Sequence, residues 1–564
     1  FYERRLRRIF PALVVGVIGT LAAAPFLLFP SELRTTAITA GAALLSAANL
    51  YLLNSAGYFA ADAETQPLVH LWSLGVEEQF YVFFPLALAL MMRRGRKVAL
   101  WATMVLAVVS LALCVFYTYQ DRDFAYYFPL TRAWELLFGA LAFFLPAPRL
   151  PQAVREIAAF GALALLIACA IKFYPGMYFP GYLAAIPCLA TAVLISLGRN
   201  ATSLTSRLLA LRPVVFIGLI SYSLYIWHWP IIVYYHLLRG AEITAAEGAG
   251  LVAASVLSAT LSWYFVERPF RVKSLLASRS GVFAGAGAAG VLLIGASAGL
   301  VLQAHAEAAA PDEGTRLASY LIYDDAPVYR RGSCFLFGHM NAVDDLDRGK
   351  CLTPVAGKPN ILVVGDSHAA HLWSGIANAL PGANVMQATS TGCKPVAGTK
   401  GETTCIRLFS EIFDTFLPKT KPDVLVLSAR WIGSDIPDVV RTLAALKGKA
   451  GRIVVFGPIA EYSAPLPRLL AQVADGRDPS LLITARRREQ AATDQALGAA
   501  VRAAGATYVS TYRLLCASEA AACTTSVDGK PLQWDYGHLT REGSAYLARL
   551  AKQTGAFSLD TVAK

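Results

Sequence analysis

The sequence has few charged residues. Only 16% of its 564 residues are Asp, Glu, Lys or Arg, and the mean hydropathy is +0.48. These values are too apolar for a protein that is surrounded by water on every side. The shortage of charge falls in residues 1 to about 303, which contain repeated apolar runs of about 18 to 25 residues. The sequence therefore predicts a multi-span α-helical membrane domain, followed by a soluble α/β domain of ordinary composition.

Positive charge is unevenly placed along the membrane domain. Arginine-rich segments such as 4–8, 93–97 and 268–279 alternate with loops that have little positive charge. Such segments lie in the cytoplasm by the positive-inside rule. We therefore interpret the net charge of +12 as a topology signal and not as a nucleic-acid-binding patch. The apolar runs predict nine spans, at about 11–30, 74–92, 98–117, 131–147, 155–173, 181–198, 213–237, 246–265 and 281–303.

One further apolar stretch, at about 34–53, is predicted not to cross the membrane. Segments 1–10 and 92–97 are both assigned to the cytoplasm, so an even number of crossings separates them. The runs at 11–30 and 74–92 supply two crossings, which leaves 34–53 as a re-entrant or interfacial segment. By the same alternation the last span ends outside. The soluble domain is then extracytoplasmic.

Cysteine is scarce in the membrane domain. Three of the nine cysteines, Cys114, Cys169 and Cys188, lie in predicted spans, and the other six lie in the soluble domain. Six cysteines in an oxidising compartment predict disulfides. Sequence alone allows about 15 pairings. We favour pairs of neighbours, which are Cys334 with Cys351, Cys393 with Cys405, and Cys516 with Cys523.

The soluble domain shows alternating strand and helix patterns. Weak patterning at 304–358 predicts a linker, and the domain itself is expected to cover 359–564. Strands are predicted at about 360–365, 384–388, 423–428, 452–457 and 507–510, and helices at 369–379, 404–416, 436–447, 480–504 and 540–553. Such alternation predicts a flavodoxin-like parallel sheet covered on both faces, with ligands at the carboxyl ends of its strands.

A serine follows the first of these strands. Ile361 to Val364 form an apolar run, and Gly365-Asp366-Ser367 leads from it into a helix. A serine at such a turn lies at the end of the sheet, where the first amides of the helix point towards a developing oxyanion. Far downstream, Asp535 precedes His538 by three residues. That carboxylate can orient the imidazole while the second ring nitrogen takes the serine proton.

These two segments resemble the SGNH hydrolase family, in which Gly-Asp-Ser is the first block and Asp-x-x-His the last. The resemblance implies Ser367 as nucleophile, His538 as base and Asp535 as the residue that orients the base. It also implies an oxyanion hole made of the backbone amides of Ser367 and Gly392. The third block of the family supplies an Asn, but the matching segment Ser428-Ala429-Arg430-Trp431 has none. Arg430 either replaces that Asn or is a salt-bridged surface arginine.

Several polar side chains lie at or inside the predicted spans. Polar groups are costly there unless they are paired or face a wet cavity. They are therefore predicted to form a polar site, with interfacial anchoring and structural ion pairing as the alternatives. The candidates are His70, Glu77, Glu78, Arg132, Glu135 and His228.

The order of the motifs around these residues resembles the acyltransferase type 3 family, which consists of integral membrane O-acyltransferases of cell-surface glycans. The motifs are His-x-Trp-Ser-Leu-x-x-Glu-Glu-Gln-Phe-Tyr from residue 70, Arg-x-Trp-Glu from 132, Ser-Tyr-Ser-Leu-Tyr-x-Trp-His-Trp-Pro from 221 and Glu-Arg-Pro-Phe from 267. The resemblance covers nearly all of residues 1–270, and some members continue through an extra span, here 271–303, into an SGNH domain. It implies that the opening arginines bind the phosphates of acyl-CoA, although positive-inside charge also explains them. These arginines are Arg4, Arg5, Arg7 and Arg8.

Two expected features are absent from the start of the sequence. The chain begins at Phe1, with no initiator Met and no signal-peptide pattern. The first spans of the family, which carry an Arg–His pair regarded as essential, should precede that residue. None of the eight histidines replaces the pair by pattern. On this basis the chain is expected to lack a working acyltransferase centre in its membrane part.

Together the two resemblances imply an O-acetyltransferase in a bacterial inner membrane, with the SGNH domain periplasmic or otherwise extracytoplasmic. Acetyl-CoA is the expected donor, and the expected acceptor is a hydroxyl of lipopolysaccharide O-antigen, peptidoglycan or an exopolysaccharide. Membrane lipid, the glycan and acyl-CoA are thus the predicted partners, with no nucleic acid and no bound cofactor. No metal is predicted, since Asp366, His368 and His371 lack ligand-spaced partners. The alternatives are a membrane-anchored glycan acetyl esterase and a transporter of a lipid-linked glycan or acyl donor.

Overall fold

The computed structural model describes residues 1–55, 65–144, 150–174, 177–198, 203–240, 243–337, 343–399 and 403–558. These residues are divided between two compact units. The first, here called the helical unit, comprises residues 1–28, 32–235 and 243–305. The second, here called the sheet unit, comprises residues 29–31, 236–242 and 306–564. The main boundary between the units lies close to the change in composition at about residue 303.

Among the described residues, seven helices are long and apolar enough to cross a membrane. The shortest has 21 residues, and at 1.5 Å per residue it reaches about 31 Å, which matches a hydrocarbon core of about 30 Å. The seven are Tyr2–Leu27, Val69–Arg93, Arg96–Gln120, Gln152–Lys172, Arg212–Arg239, Ala245–Arg271 and Arg279–Ala309. This is the architecture of a multi-pass membrane protein.

Two predicted spans form shorter helices than expected. The stretch at 131–147 forms Pro129–Phe144, with 16 residues, and the stretch at 181–198 forms Ala185–Gly198, with 14 residues. These helices reach about 24 and 21 Å, less than the hydrocarbon thickness. Pro180 and Gly181 delay the start of the second helix, whereas residues 145–147 lie outside the described part of the chain. Seven of the nine predicted spans therefore coincide with long apolar helices, and these two stretches form shorter ones among the described residues.

The stretch at 34–53 divides into two short helices. They are Pro30–Leu44 and Ala48–Ser55, and Ser46 between them has a left-handed backbone with φ 56°. Neither helix is long enough to cross a bilayer by itself, in agreement with the expectation that this stretch is not a full span. Two shorter connecting helices, Arg122–Tyr127 and Leu204–Leu209, complete the described helices of this unit.

The sheet unit is built on six parallel strands in the order β1-β3-β2-β4-β5-β6. The register sets Gly365 of β2 opposite Thr389 of β3 and Ser428 of β4, so the three strands end together at one edge. A separate antiparallel pair joins Ser526–Val527 to Lys530–Pro531. The strands are β1 (Phe335–Leu336), β2 (Asn360–Gly365), β3 (Asn384–Ser390), β4 (Val424–Ser428), β5 (Arg452–Phe456) and β6 (Thr507–Val509).

Helices cover both faces of this sheet. Along β2, Ile361 and Val363 point into one apolar core while Leu362 and Val364 point into the other. A strand buried on both faces is apolar throughout, which is why it was visible in the sequence. The helices are Glu313–Ala318, Ala326–Tyr329, Arg348–Cys351, Ser367–Ala379, Thr403–Ser410, Leu417–Thr420, Ile436–Ala445, Leu466–Ala474, Leu481–Thr484, Glu489–Ala503, Thr511–Leu515 and Arg541–Gln553. The flavodoxin-like parallel sheet is confirmed.

The edge of the sheet departs from the prediction. Strand β1 lies inside 304–358, the stretch predicted to be a linker, so the sheet begins earlier in the chain than residue 359. A strand of two residues has no periodicity that a sequence pattern can reveal. Disulfides join Cys334 to Cys351, Cys393 to Cys405, and Cys516 to Cys523, which are the pairs of neighbours favoured from the sequence.

Candidate active site

The turn between β2 and the next helix presents Ser367. Gly365 has φ 150°, and a Cβ atom there would lie 1.7 Å from the carbonyl oxygen of Ser428 on the neighbouring strand. Only glycine allows that approach of the two backbones. Asp366 caps the helix by accepting a hydrogen bond from the His368 N–H at 2.8 Å. Ser367 is then the first residue of the helix and lies at the carboxyl end of the strand.

Ser367, His538 and Asp535 form one hydrogen-bonded chain. The Oγ atom of Ser367 lies 2.8 Å from Nε2 of His538, and Nδ1 of His538 lies 2.7 Å from Oδ2 of Asp535. The other carboxylate oxygen accepts the backbone N–H groups of Gly537 and His538 at 2.9 and 2.7 Å. A carboxylate at Nδ1 holds the proton on that nitrogen, which leaves Nε2 to accept the proton of the serine. The structure thus brings together the three residues predicted as nucleophile, base and orienting group.

The loop 535–538 that carries the histidine is anchored on both sides. The backbone carbonyls of its first two residues accept the N–H groups of Leu466 and Tyr462 at 3.1 and 2.9 Å. The ring of Trp534 stacks on the imidazole of His538, with centroids 5.6 Å apart and an interplanar angle of 20°. These contacts hold the imidazole in its orientation before any substrate binds.

Asp366 lies next to the nucleophile but bonds to the backbone. Its Oδ1 accepts the His368 N–H at 2.8 Å, and its Oδ2 accepts the Arg430 N–H at 2.9 Å. Burial raises the pKa of Asp366 to about 6. Because both oxygens are bonded to amides, this carboxyl joins the turn after β2 to the end of β4 and is not placed to act as a base.

Two further imidazoles pack around His538. The ring centroids of His368 and His371 lie 4.8 and 6.1 Å from that of His538, and both side chains are buried. Burial is the main cause that lowers the pKa of both imidazoles well below the usual value, and electrostatic repulsion from His538 is the second cause. Both side chains therefore stay neutral. Their spacing of three residues, which places both on one face of a helix, was the available signal for this packing. No cluster of residues suited to bind a metal ion occurs among the described residues.

Aromatic residues from the predicted linker complete the surroundings of the triad. The Tyr329 hydroxyl accepts the indole N–H of Trp534 at 3.2 Å, and the ring of Tyr323 stacks on Trp534 with centroids 6.0 Å apart. Both tyrosines lie between residues 304 and 358. Sequence reasoning missed them because this stretch has no motif and no regular pattern.

Gly392, the predicted second oxyanion donor, follows β3 at the same edge of the sheet. It lies three residues after Thr389, which is the register partner of Gly365. Its φ of 65° is in the left-handed region, which glycine adopts without steric cost. The register therefore places its amide beyond the same strand ends as the amide of Ser367.

Arg430, the residue in place of the missing Asn, is held by a salt bridge. Its Nε and Nη2 atoms donate to the two carboxylate oxygens of Glu461 at 2.9 and 2.7 Å. Its backbone N–H is bonded to Asp366. The side chain thus matches the second of the two alternatives that the sequence left open.

In the helical unit, Arg5 and the predicted polar residue Glu78 pair with each other. The guanidinium contacts the Glu78 carboxylate at 2.6 to 3.2 Å and lies 3.4 Å above the ring of Tyr81. Glu77 is more distant, at 3.9 Å from Arg5. An arginine and a glutamate singled out for different roles therefore form one ion pair.

The other opening arginines occupy different environments. Arg7 is buried and bonds to Glu3 at 3.0 Å, whereas Arg4 and Arg8 are exposed. One helical turn separates the two exposed side chains, so they share a face of the helix.

The remaining polar candidates form two local groups. Arg132 and Glu135 make a two-point ion pair at 2.9 and 3.1 Å. The rings of His70 and His228 lie 5.7 Å apart, and Tyr225 contacts both. These hydrogen bonds, ion pairs and ring contacts place the predicted polar residues in three groups, one around Glu78, one at Arg132 and one at His70.

Two protein families match this chain. The family described as "Acyltransferase domain" matches residues 1–267, and the family described as "SGNH domain (fused to AT3 domains)" matches residues 333–553. The second match begins inside the predicted linker and includes β1.

Individual proteins are also similar to this chain. A protein of Komagataeibacter xylinus, named "Putative membrane-bound transacylase BcsY", is 33% identical over 48% of this chain and 68% of its own length. The O-acetyltransferase OatA of Staphylococcus aureus is 30% identical over 49% of this chain and 48% of its own length, so the chain spans about half of that relative. The solved periplasmic domain of a lipopolysaccharide acetyltransferase from Salmonella ser. Paratyphi A is similar over 44% of this chain and 98% of its own, with 22% identity and a TM-score of 0.37.

Proposed function

This chain belongs to the family of membrane acyltransferases that carry a fused SGNH domain, and from that membership we propose that it transfers acetyl groups to hydroxyls of a cell-envelope glycan. One observation carries the proposal. The hydrogen bonds of 2.8 and 2.7 Å that link Ser367, His538 and Asp535 are the geometry of an activated serine nucleophile. The name of the relative OatA supports the acetyl group as the group that is moved.

In the first step, Ser367 accepts the acetyl group. Its Oγ attacks the carbonyl carbon of the donor while Nε2 of His538 takes the hydroxyl proton, and Asp535 stabilises the imidazolium. The backbone N–H groups of Ser367 and Gly392 donate to the oxyanion of the tetrahedral intermediate. When the intermediate collapses, the leaving group takes the proton from His538, and an acetyl ester remains on Ser367.

In the second step, a sugar hydroxyl takes the acetyl group. His538 removes the hydroxyl proton as the sugar oxygen attacks the ester carbonyl, and the Ser367 oxygen leaves with that proton. Water in place of the sugar would give hydrolysis, so transfer requires a site that excludes water. Ser367 and His538 are only 3% and 2% exposed, so other side chains already cover most of both residues.

The donor is proposed to be acetyl-CoA, bound on the cytoplasmic side. Arg4 and Arg8 are exposed on one face of their helix, so both can contact phosphate groups. The acetyl group is then proposed to cross the membrane and to reach Ser367 on the extracytoplasmic side. Three disulfides in the sheet unit support that compartment. Lipopolysaccharide O-antigen, peptidoglycan and exopolysaccharide are the acceptor classes that this arrangement suits.

The test uses the full chain in lipid nanodiscs, with p-nitrophenyl acetate as a surrogate donor and a panel of envelope glycans as acceptors. We expect acetylated glycan from the unaltered chain and a loss of at least about 10³-fold in Ser367→Ala. Ser374→Ala is the matched control, because Ser374 lies on the same helix outside the triad.

The outcomes separate the candidate functions. Serine-dependent release of acetate with no acetylated glycan would replace transfer by esterase activity. Glycan acetylation that persists in Ser367→Ala would remove the serine from the reaction.

A further inference from the structure

Beside the triad, two arginines share one buried carboxylate. The side chain of Glu461 is 2% exposed and accepts two hydrogen bonds from Arg430. The Nη1 atom of Arg487 lies 3.7 Å from the same carboxylate. One carboxylate balances one guanidinium, so the group of three side chains has one positive charge in excess.

The arginine group adjoins the reacting residues. The backbone of Arg430 is bonded to Asp366, which immediately precedes the nucleophile. Its guanidinium lies 5.0 Å above the ring of Tyr536, and that ring lies 5.5 Å from the imidazole of His538. A substituent on a sugar whose hydroxyl is at Ser367 is therefore within reach of this group.

The two arginines also have unused donors. The side chains of Arg430 and Arg487 are 41% and 35% exposed, although both lie next to a buried anion. The Nε atom of Arg487 is buried and has no hydrogen-bond partner within the described ranges. Buried N–H groups nearly always have a partner, so the hydrogen-bonding capacity of the Arg487 guanidinium is not fully used within the sheet unit. Because guanidinium groups bind carboxylate and phosphate with two parallel hydrogen bonds, an anion is the ligand that fits.

We propose that Arg430 and Arg487 form a subsite for an anionic substituent, a carboxylate or a phosphate, on the acceptor glycan. This inference rests on the proposed function, since it names the kind of sugar that the site accepts. The acetyl group itself is neutral, and the oxyanion of the intermediate is assigned to the amides of Ser367 and Gly392. The exposed guanidinium groups are thus available to the acceptor, and a neutral sugar leaves the Arg487 donor without a partner.

The experiment compares three acceptors with the full chain in nanodiscs and p-nitrophenyl acetate as donor. They are a uronic-acid oligosaccharide, its methyl ester, and the corresponding neutral oligosaccharide carrying a phosphomonoester. We expect kcat/KM for transfer to one or both anionic acceptors to exceed that for the methyl ester by about tenfold or more. A preference for the carboxylate or for the phosphate identifies which anion the subsite takes. Added salt should reduce the preference, because it screens charges that are partly exposed.

Variants then connect the preference to the subsite. Arg487→Gln should lower the ratio of kcat/KM for the anionic acceptor to kcat/KM for the methyl ester by about tenfold. The ratio cancels any change in the loading of Ser367, so a partly impaired protein still gives an answer. Arg487→Lys keeps the charge and should retain most of the preference. Arg441→Gln removes an exposed arginine elsewhere in the sheet unit and should leave the ratio unchanged.

The results that overturn the subsite differ from those that overturn the function. Equal rates on all three acceptors, or a preference that Arg487→Gln retains, would contradict the subsite while leaving acetyl transfer intact. Absence of transfer to every sugar would contradict the proposed function, and the subsite with it.

Discussion

Asp535 contributes to the proposed reaction through the orientation of His538. Asp535→Asn keeps the size of the side chain but presents an amide to Nδ1, which favours the wrong tautomer of the imidazole. We predict a decrease of about 10² to 10⁴ in kcat for acetyl transfer, with little change in KM. Steady-state kinetics of the full chain measure both values, and an unchanged kcat would show that this carboxylate does not orient the base.

The buried side chains around the triad make stability depend on pH. A histidine whose pKa is lowered in the folded state binds its proton only after unfolding, so stability is lost as the pH falls below about 6.5. Asp366 acts in the opposite direction. Its pKa of about 6 means that the folded state holds a proton that the unfolded chain releases above about pH 4. Two histidines outweigh one aspartate, so these groups together destabilise the sheet unit at acidic pH.

Removing one histidine should therefore reduce the acid sensitivity. His371→Gln can still accept the N–H of Leu539 that Nδ1 accepts at 3.4 Å. We predict that, as the pH falls below about 6.5, the unfolding free energy of His371→Gln decreases less steeply than that of the unaltered chain, by up to about 1 kcal/mol per pH unit because one proton fewer is taken up on unfolding. Chemical denaturation followed by near-UV circular dichroism gives the slope. His305→Gln, at an exposed position, is the control, and parallel slopes for the unaltered chain and His371→Gln would contradict the prediction.

Among the elements, the disulfide next to β1 ties the edge of the sheet to the helix Arg348–Cys351. Cys334 immediately precedes β1, and its bond to Cys351 has a sequence separation of 17 residues. Replacing both cysteines by Ala should lower the free energy of unfolding by about 2–4 kcal/mol, because the unfolded chain gains freedom. Denaturation under non-reducing conditions measures the loss. A loss below about 0.5 kcal/mol would show that the bridge constrains little.

The elements that the sequence predicted well are those with a strong local signal. Strands β2 to β6 were expected within two residues of their observed bounds, because apolar runs buried on both faces of a sheet are continuous. The helix Leu466–Ala474 was missed, since Pro465 and Pro467 mark its start as a turn. Strand β1 was missed because its two residues depend on pairing with β3, a contact that no local pattern records.

In the candidate site too, only the residues with a strong local signal were predictable from the sequence. Ser367, Asp535 and His538 stand in short motifs whose spacing states the chemistry. The residues that support the triad do not belong to any such motif. Tyr323 and Glu461 reach the site from distant segments, and each is an ordinary residue in its local sequence. Their positions depend on tertiary packing, which a single sequence does not express.

For the whole molecule, the proposal that the sheet unit and the arginine-rich segment 93–97 are exposed on opposite sides of the membrane can be tested by labelling. Lys358 and Arg94 are both exposed and lie in the sheet unit and the helical unit respectively. We predict that Lys358→Cys reacts with a membrane-impermeant maleimide in intact spheroplasts, whereas Arg94→Cys reacts only after permeabilisation. The unaltered chain, with its three free cysteines, is the control. Labelling of both variants in intact spheroplasts would contradict the topology.

In the proposed reaction an acetyl group passes through Ser367 on its way to a glycan. Peptide mass spectrometry can detect this intermediate when the full chain is sampled after brief exposure to p-nitrophenyl acetate and again after glycan is added. We predict an acetyl group on the peptide that contains Ser367, which disappears on addition of glycan as acetylated glycan forms in equal amount. Acetylated glycan that forms while Ser367 never carries an acetyl group would contradict the proposed reaction.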